Sequence, residues 1–178
     1  MTEREDATLV RQCIEGDKKA FEALVEKYQK PMFNVAVRII NDYEDAADVT
    51  QAAFIKAYEN LRQFDHRYKF YSWLYRITVN GSLNFINTKK RFEGLGDDVV
   101  SPDKSADELF SEEDTARNVR QALMKLSPDY RSVVVLSHFR DLSYKEIGDV
   151  LGIPEKRVKS RLFTARQLLK DLLLKEGG

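Results

Sequence analysis

Soft metal ligands are nearly absent: 178 residues hold one cysteine, Cys13, and two histidines, His66 and His138. A lone thiol forms no internal disulfide, and so few ligands cannot close the tetrahedron of a structural zinc site. No apolar run approaches the roughly 18 residues that span a bilayer, so no direct membrane insertion is expected. Residues 1–6 are polar and acidic rather than basic then apolar, which is not the pattern of a secretory leader. A cytoplasmic protein is the expectation. The four prolines are scattered, and the eight glycines form no phosphate-cradling loop. Paired catalytic acids and a Cys–His nucleophile set are also missing, so neither an enzyme nor a cofactor is expected. Cys13 sits beside an apolar helix face and reads as packing.

What is present is segregated charge. Formal net charge is zero, yet residues 1–91 hold 15 Lys/Arg and 13 Asp/Glu. Residues 92–116 hold one Lys and 9 acids, and residues 117–178 hold 13 Lys/Arg and 7 acids. A basic C-terminal third points toward nucleic acid, although exposed helix faces alone also produce such asymmetry.

Apolar spacing of three and four predicts helices almost throughout. Leu9, Val10 and Ile14 share one side of a first helix, which Gly16 and Asp17 break. Phe21, Leu24, Val25 and Tyr28 continue, and Pro31 is read as opening a new helix with Phe33, Val35, Ala36, Ile39 and Ile40. Asn41 and Asp42 signal a turn. Residues 45–61 form a strong amphipathic helix with Val49, Ala53, Phe54, Ala57, Tyr58 and Leu61 inward. Residues 63–71 read as a loop, and Ser72 as the N-cap of a helix through Trp73, Leu74, Ile77, Leu83 and Ile86. Residues 92–116 have too few apolar side chains to fold alone and read as a flexible acidic linker. Helix resumes near Ala116, and Ser127 with Pro128 starts another. The short β-branched run at 133–136 is assigned to helix because helical spacing continues on both sides. The fold class is therefore all-α: two small helical domains, 1–91 and 117–178, joined by the linker 92–116.

The sharpest local pattern starts at Ser143, which with Glu146 makes a capping box. Ile147, Val150 and Leu151 face inward, Gly152 suits a left-handed cap, Ile153 plugs the turn and Pro154 opens the next helix. Such a pair is a helix-turn-helix. On the second helix Val158, Leu162, Ala165, Leu169 and Leu172 form one seam. Lys156, Ser160, Phe163 and Gln167 fall opposite, flanked by Arg157, Lys159 and Thr164. One apolar face with Lys, Arg and Ser outward fits a major groove, where a thymine methyl or a sugar covers Phe163.

A second cluster interleaves Phe64, Tyr68, Phe70, Tyr71, Trp73, Tyr75 and Phe85 with Arg62, Arg67, Lys69, Arg76, Lys89, Lys90 and Arg91. Part of it is core, Trp73 and Phe70 above all. The remainder suits single-stranded nucleic acid, with bases stacked on rings and cations along the backbone. The Asn80 amide on the same helix can read a base edge.

At these residues the chain resembles the extracytoplasmic-function sigma factors of the sigma-70 family, over nearly its whole length. Asp45-Ala46-Ala47-Asp48-Val49-Thr50-Gln51-Ala52-Ala53-Phe54, continuing to Tyr58, resembles region 2.2. Phe70-Tyr71-Ser72-Trp73-Leu74-Tyr75-Arg76-Ile77-Thr78-Val79-Asn80 resembles the strand-separating segment. Leu126-Ser127-Pro128, Leu142-Ser143-Tyr144-Lys145-Glu146-Ile147 and Val158-Lys159-Ser160-Arg161-Leu162 resemble region 4. The resemblance implies core RNA polymerase and promoter DNA, duplex and single-stranded, as partners, with an anti-sigma factor as regulator. It implies that Asp48 and Gln51 dock on polymerase. Phe64, Tyr71, Trp73, Arg76 and Asn80 would hold the opened −10 element, with the loop from Phe64 to Tyr71 around a flipped base. Lys156, Arg157, Lys159, Ser160, Arg161 and Phe163 would meet the −35 duplex. The helical wheel sets Arg161 nearer the seam, within reach of phosphate rather than a base. The chain departs from the family pattern at Ala52, where Glu is usual, at Lys156 and Arg157, where Gly-Thr is common, and at Thr164, where many members are basic.

The alternative is a helix-turn-helix regulator that acts without being a polymerase subunit. It shares the duplex-reading helix but leaves the aromatic, basic cluster and the acidic stretch unexplained.

Overall fold

The computed structural model describes residues 3–94, 114–138 and 142–176. Short polar residues set the joints between its helices. Helix α1 (Glu3–Ile14) ends at Gly16, whose φ of 104° a side chain would resist. Asp17 then caps α2 (Lys18–Ile40), its carboxylate accepting from the Lys19 amide at 2.9 Å. Asn41 ends α2 in the left-handed region at φ 62°, and Asp42 caps α3 (Tyr43–Glu59) by accepting from the Asp45 amide at 2.9 Å. A 3₁₀ turn at Leu61–Gln63 precedes α4 (Phe70–Glu93). The remaining helices are α5 (Asp114–Lys125), α6 (Pro128–His138), α7 (Tyr144–Leu151) and α8 (Glu155–Glu176). Among the described residues there is no strand, and the 133–136 run is helical as expected.

Two local expectations are corrected. Pro31 does not open a helix: α2 runs through it. Leu24, Tyr28, Met32, Val35 and Ile39 are all buried at helical spacing on both sides of the proline. Packing that unbroken stripe on α1, α3 and α4 outweighs the ~3 kcal/mol a proline costs inside a helix. Ser72 does not cap α4, which begins two residues earlier, and its Oγ is buried without a hydrogen-bond partner. The anchor is Phe70, buried in the core, which draws the helix start back to its own position. Helix also intrudes on the expected linker, since Phe92 and Glu93 close α4 and Asp114 opens α5. Residues 95–113 lie outside the described residues.

The first bundle gathers Val10 of α1, the α2 stripe, Val49, Ala53, Phe54 and Ala57 of α3, and Leu74 and Val79 of α4. A polar clasp seats α1. The Asp6 carboxylate, 3% exposed, accepts from Lys27 Nζ at 2.5 Å and from the Tyr28 hydroxyl. Burial, then the Asp6 hydrogen bond, push the Tyr28 hydroxyl well above its ordinary pKa, so it remains a donor at any physiological pH.

The second bundle packs α5, α6 and α7 on α8. The expected seam is present: Val158, Leu162 and Ala165 are buried, and Leu169 and Leu172 are half-buried. Arg131 of α6 ties this bundle together. It is 3% exposed and, among the described residues, faces no carboxylate. Nε donates to the Leu123 carbonyl at 3.1 Å, and Nη2 to those of Met124 and Leu126 at 2.9 and 3.0 Å. These carbonyls belong to the end of α5, where intrahelical donors run out and the helix dipole favours a cation. Nη1 reaches the first bundle, donating to the Ile39 carbonyl in the last turn of α2 at 2.5 Å. Desolvation pulls the guanidinium pKa down to about 10, which still leaves it charged.

The two bundles also touch directly. Helix α6 lies on α2 and α7 on α4, and the buried apolar side chains of both bundles form one continuous cluster. The two-bundle organisation matches the sequence reading, and this mutual packing adds to it.

Gly148 in mid-α7 is a position that sequence reading passed over. A Cβ there would lie 2.6 Å from the Ile153 carbonyl oxygen, so the turn closes tightly only over a glycine. Gly148→Ala is expected to lower stability by about 1–3 kcal/mol, since backbone rather than a flexible side chain must yield. Gly81→Ala, whose Cβ would meet only Val49 Cγ1 at 3.4 Å, should stay within about 1 kcal/mol of wild type. Thermal unfolding of both variants checks the contrast. Arg131→Met strips the buried α5 carbonyls of their donor and should cost about 2–4 kcal/mol, read as a fall in urea midpoint.

Candidate nucleic-acid and polymerase interfaces

The expected site residues fall on three helices. On α3, Asp48 and Gln51 are exposed while Val49, Ala53, Phe54 and Ala57 turn to the core. Glu44, Ala52, Ile55 and Glu59 are exposed as well. Ile55 is 54% exposed, an apolar side chain on an otherwise polar face. Its spacing of four from Gln51 and seven from Asp48 was the available signal. Tyr58, expected inward, is instead half-exposed, with its ring edge-on to Phe21 at 4.8 Å. Its hydroxyl favours water, and Phe21 covers part of its ring.

The aromatic cluster divides into core and surface. Phe64 is 6% exposed and packs against His66, Phe70 and Trp73 at centroid distances of 5.2, 5.8 and 5.2 Å. It underlies the loop and offers no free face to a base. Trp73 is half-buried, while Arg76 and Asn80 are exposed one turn apart on α4. Tyr71 is half-buried, and its hydroxyl accepts from Lys69 Nζ at 3.2 Å. Burial raises the Tyr71 pKa, with Lys69 opposing it.

Charges in the loop before α4 are held locally. Arg67 closes on Asp65, with Nη2 to Oδ2 at 2.6 Å and the Arg67 amide to Oδ1 at 3.0 Å. Those hydrogen bonds hold the Asp65 carboxyl down at about 2. Lys69 Nζ pairs with Glu3 Oε1 of α1 at 2.9 Å and with Glu146 Oε1 of α7 at 3.4 Å. Glu3 and then Tyr71 raise its pKa above the ordinary lysine value. Glu146 also completes the capping box: Oε2 accepts from the Ser143 amide at 2.7 Å, and the Glu146 amide donates to Ser143 Oγ at 3.1 Å. Burial pushes the Glu146 carboxyl up, but Ser143 and Lys69 together bring it below its usual range. The sequence shows the capping box but not the lysine 77 positions earlier.

On α8, Lys156, Arg157, Lys159, Ser160, Phe163 and Gln167 are all exposed, opposite the buried seam. Phe163 is 69% exposed. Lys159 pairs with Glu155 at 2.9 Å and lies 6.0 Å from the Tyr144 ring centroid. The Glu155 contact raises its pKa. Arg161 is half-buried and turned toward α6, with Nη2 3.2 Å from Asp129 Oδ2. Its position nearer the seam agrees with the wheel.

Among the described residues no group of His, Cys, Asp or Glu is placed to hold a metal ion, and no helix is long and apolar enough to cross a membrane. Burial and then Asp17 push the half-buried Cys13 thiol up to about 11, which leaves it a poor nucleophile.

A family model described as sigma-70 region 2 matches residues 24–92, and one described as sigma-70, region 4, matches residues 116–169. The chain is 34% identical to the RNA polymerase sigma-H factor of Pseudomonas aeruginosa, over 97% of this chain and 96% of that one. It is 32% identical to the ECF RNA polymerase sigma factor SigW of Bacillus subtilis, over 92% and 94%. Among solved structures it is similar to CnrH, determined in complex with the cytosolic domain of CnrY. The TM-score is 0.72 at 29% identity, covering 95% of this chain and 97% of CnrH. Helical fold, exposed helix faces and full-length relatives agree, and the chain belongs to the sigma-70 family, within its extracytoplasmic-function group of RNA polymerase sigma factors.

Proposed function

We propose that this chain directs core RNA polymerase to promoters, gripping the opened −10 strand with α4 and reading the −35 duplex with α8. Residues 1–91 act as the polymerase-docking and −10 module, residues 92–116 as the connection, and residues 117–178 as the −35 module. It works in the cytoplasm, where polymerase and promoter DNA are, and supplies no catalysis: RNA synthesis belongs to the polymerase.

The observation that carries this reading is the outward face of α8. Lys156, Arg157, Lys159 and Ser160 surround a solvent-exposed Phe163 on a helix whose opposite side is fixed in the core. Basic groups meet phosphates or guanine edges, and the phenyl ring finds cover only against a base methyl or sugar. Arg161 orients α8 through Asp129 and lies within reach of phosphate. On α4, Arg76 follows the strand backbone while Trp73 and Asn80 offer a ring and an amide to unstacked bases. Tyr71 borders the loop, and Phe64 supports it from below. Asp48 and Gln51 dock on polymerase, with Ile55 as the apolar centre of that face.

The solved complex of CnrH with the cytosolic domain of CnrY supports a protein partner for this chain as well, and we read that partner as an anti-sigma factor.

Transcription in vitro with core polymerase and a genomic fragment library tests the proposal. The expected outcome is discrete run-off products that require the chain, and active core giving none across the library overturns it. In the same assay Asp48→Ala combined with Gln51→Ala should weaken association with core about tenfold, as measured by titration, leaving the thermal midpoint unchanged because both side chains are exposed. On a promoter so identified, Lys156→Ala should weaken binding for all sequences and lower the salt slope by about one, whereas Phe163→Ala should lose about 1–3 kcal/mol at particular −35 positions.

A further inference from the structure

The DNA-facing turns of α8 carry one acid. From Pro154 to Lys170 the chain has six Lys or Arg and a single carboxylate, Glu155. Glu155 opens α8 and is 47% exposed. It stands at the end of the helix whose residues meet base edges in a helix-turn-helix. The helix dipole and a cation four residues on favour an acid there, but each contributes little on an exposed surface. In a major groove the same carboxylate is repelled by the phosphates on either wall. It is accommodated where it accepts a hydrogen bond from a base, and the groove offers such donors at cytosine N4 and adenine N6.

A neighbour narrows that choice. Glu155 Oε1 lies 2.9 Å from Lys159 Nζ, and the Tyr144 ring of α7 lies 6.0 Å from the same nitrogen. The lysine therefore has a partner on its own helix and another on the preceding one, and both limit where its ammonium sits. An ammonium has three donor hydrogens and a carboxylate accepts about four hydrogen bonds, so the pair keeps capacity for DNA.

We propose that Glu155 and Lys159 together read one G·C pair of the −35 element, Lys159 donating to guanine O6 and N7 and Glu155 accepting from cytosine N4. The inference rests on the function proposed above. Guanine O6 and cytosine N4 are hydrogen-bonded to each other within the base pair at about 2.9 Å. A donor and an acceptor already joined on α8 at that spacing meet an acceptor and a donor already joined in the duplex. Reversing the pair sets the ammonium against the amino group and the carboxylate against the carbonyl, so both contacts repel. A T·A pair keeps the order of acceptor and donor but puts the thymine methyl where the lysine needs N7. The carboxylate thus acts largely by exclusion, making wrong sequences worse rather than the right one much better.

The test uses polymerase loaded with the chain and a promoter identified as above, with each −35 base pair varied in turn and the bound DNA sequenced. Wild type should favour G·C at one pair by about fivefold or more over each alternative. Glu155→Ala should lose that preference while binding the substituted promoters at least as well as wild type does, because a repelled charge is gone. Glu155→Gln breaks the ion pair but keeps an acceptor for cytosine N4, and should keep most of the preference. Lys159→Ala should lose the preference at the same pair and weaken binding to every promoter. An equal effect of Glu155→Ala on all promoters overturns the proposal, since that is what loss of helix stability alone would give. Glu155→Gln behaving like Glu155→Ala also overturns it, leaving Glu155 only as the holder of Lys159. If the wild-type chain with polymerase binds no promoter, the functional reading falls and this one with it.

Discussion

A buried guanidinium that no carboxylate among the described residues faces is the constraint on which the C-terminal half depends. Arg131 sits where α5 ends, and its planar fork donates to three carbonyls there, those of Leu123, Met124 and Leu126. A lysine presents a compact charge and cannot spread its donors this way. Carbonyl dipoles at a helix C-terminus compensate the charge as a carboxylate would, without a second ion to desolvate. Because α6 carries the arginine, its axial position relative to α5 is set by hydrogen bonds rather than by apolar contact alone. Helix α8 packs on both, and so the presentation of Lys156, Ser160 and Phe163 rests on that one side chain. The fourth bond, to Ile39, makes the same group a polar tie between the bundles.

What was legible in the sequence was local. The capping box of Ser143 and Glu146, the helix breaks at Gly16-Asp17 and Asn41-Asp42 and the α8 seam all depend on residues within about two turns of each other, and each is present as read. Features set by distant chain were not legible. Pro31 looked like a helix start because its intrinsic preference is local, whereas the stripe that carries α2 through it is defined by α3 and α4. The resemblance assigns Phe64 to a flipped base, and nothing in its local sequence shows that Phe70 and Trp73 pack against its ring. Gly148 gave no signal in the sequence, because its constraint comes from the Ile153 carbonyl that the turn brings against it.

The site residues divide in the same way. Arg76, Asn80, Lys156 and Ser160 are exposed because their helices have an opposite face to bury, and amphipathic periodicity finds that division without a structure. Ile55 and Tyr58 both break the pattern toward solvent, so the exposed face of α3 is not purely polar.

Packing within the bundles and polar contact between them act on different energetic scales. Within each bundle, fully buried side chains such as Leu24, Leu74, Ile147 and Leu162 each contribute on the order of 1.5–3 kcal/mol by removal from water. Between the polar groups of the bundles, a part-exposed ion pair contributes about 0–1 kcal/mol, and one carbonyl bond about 1 kcal/mol net. The polar contacts between the bundles are therefore weak beside what holds each of them together, and the apolar side chains that continue from one bundle into the other carry most of what joins them.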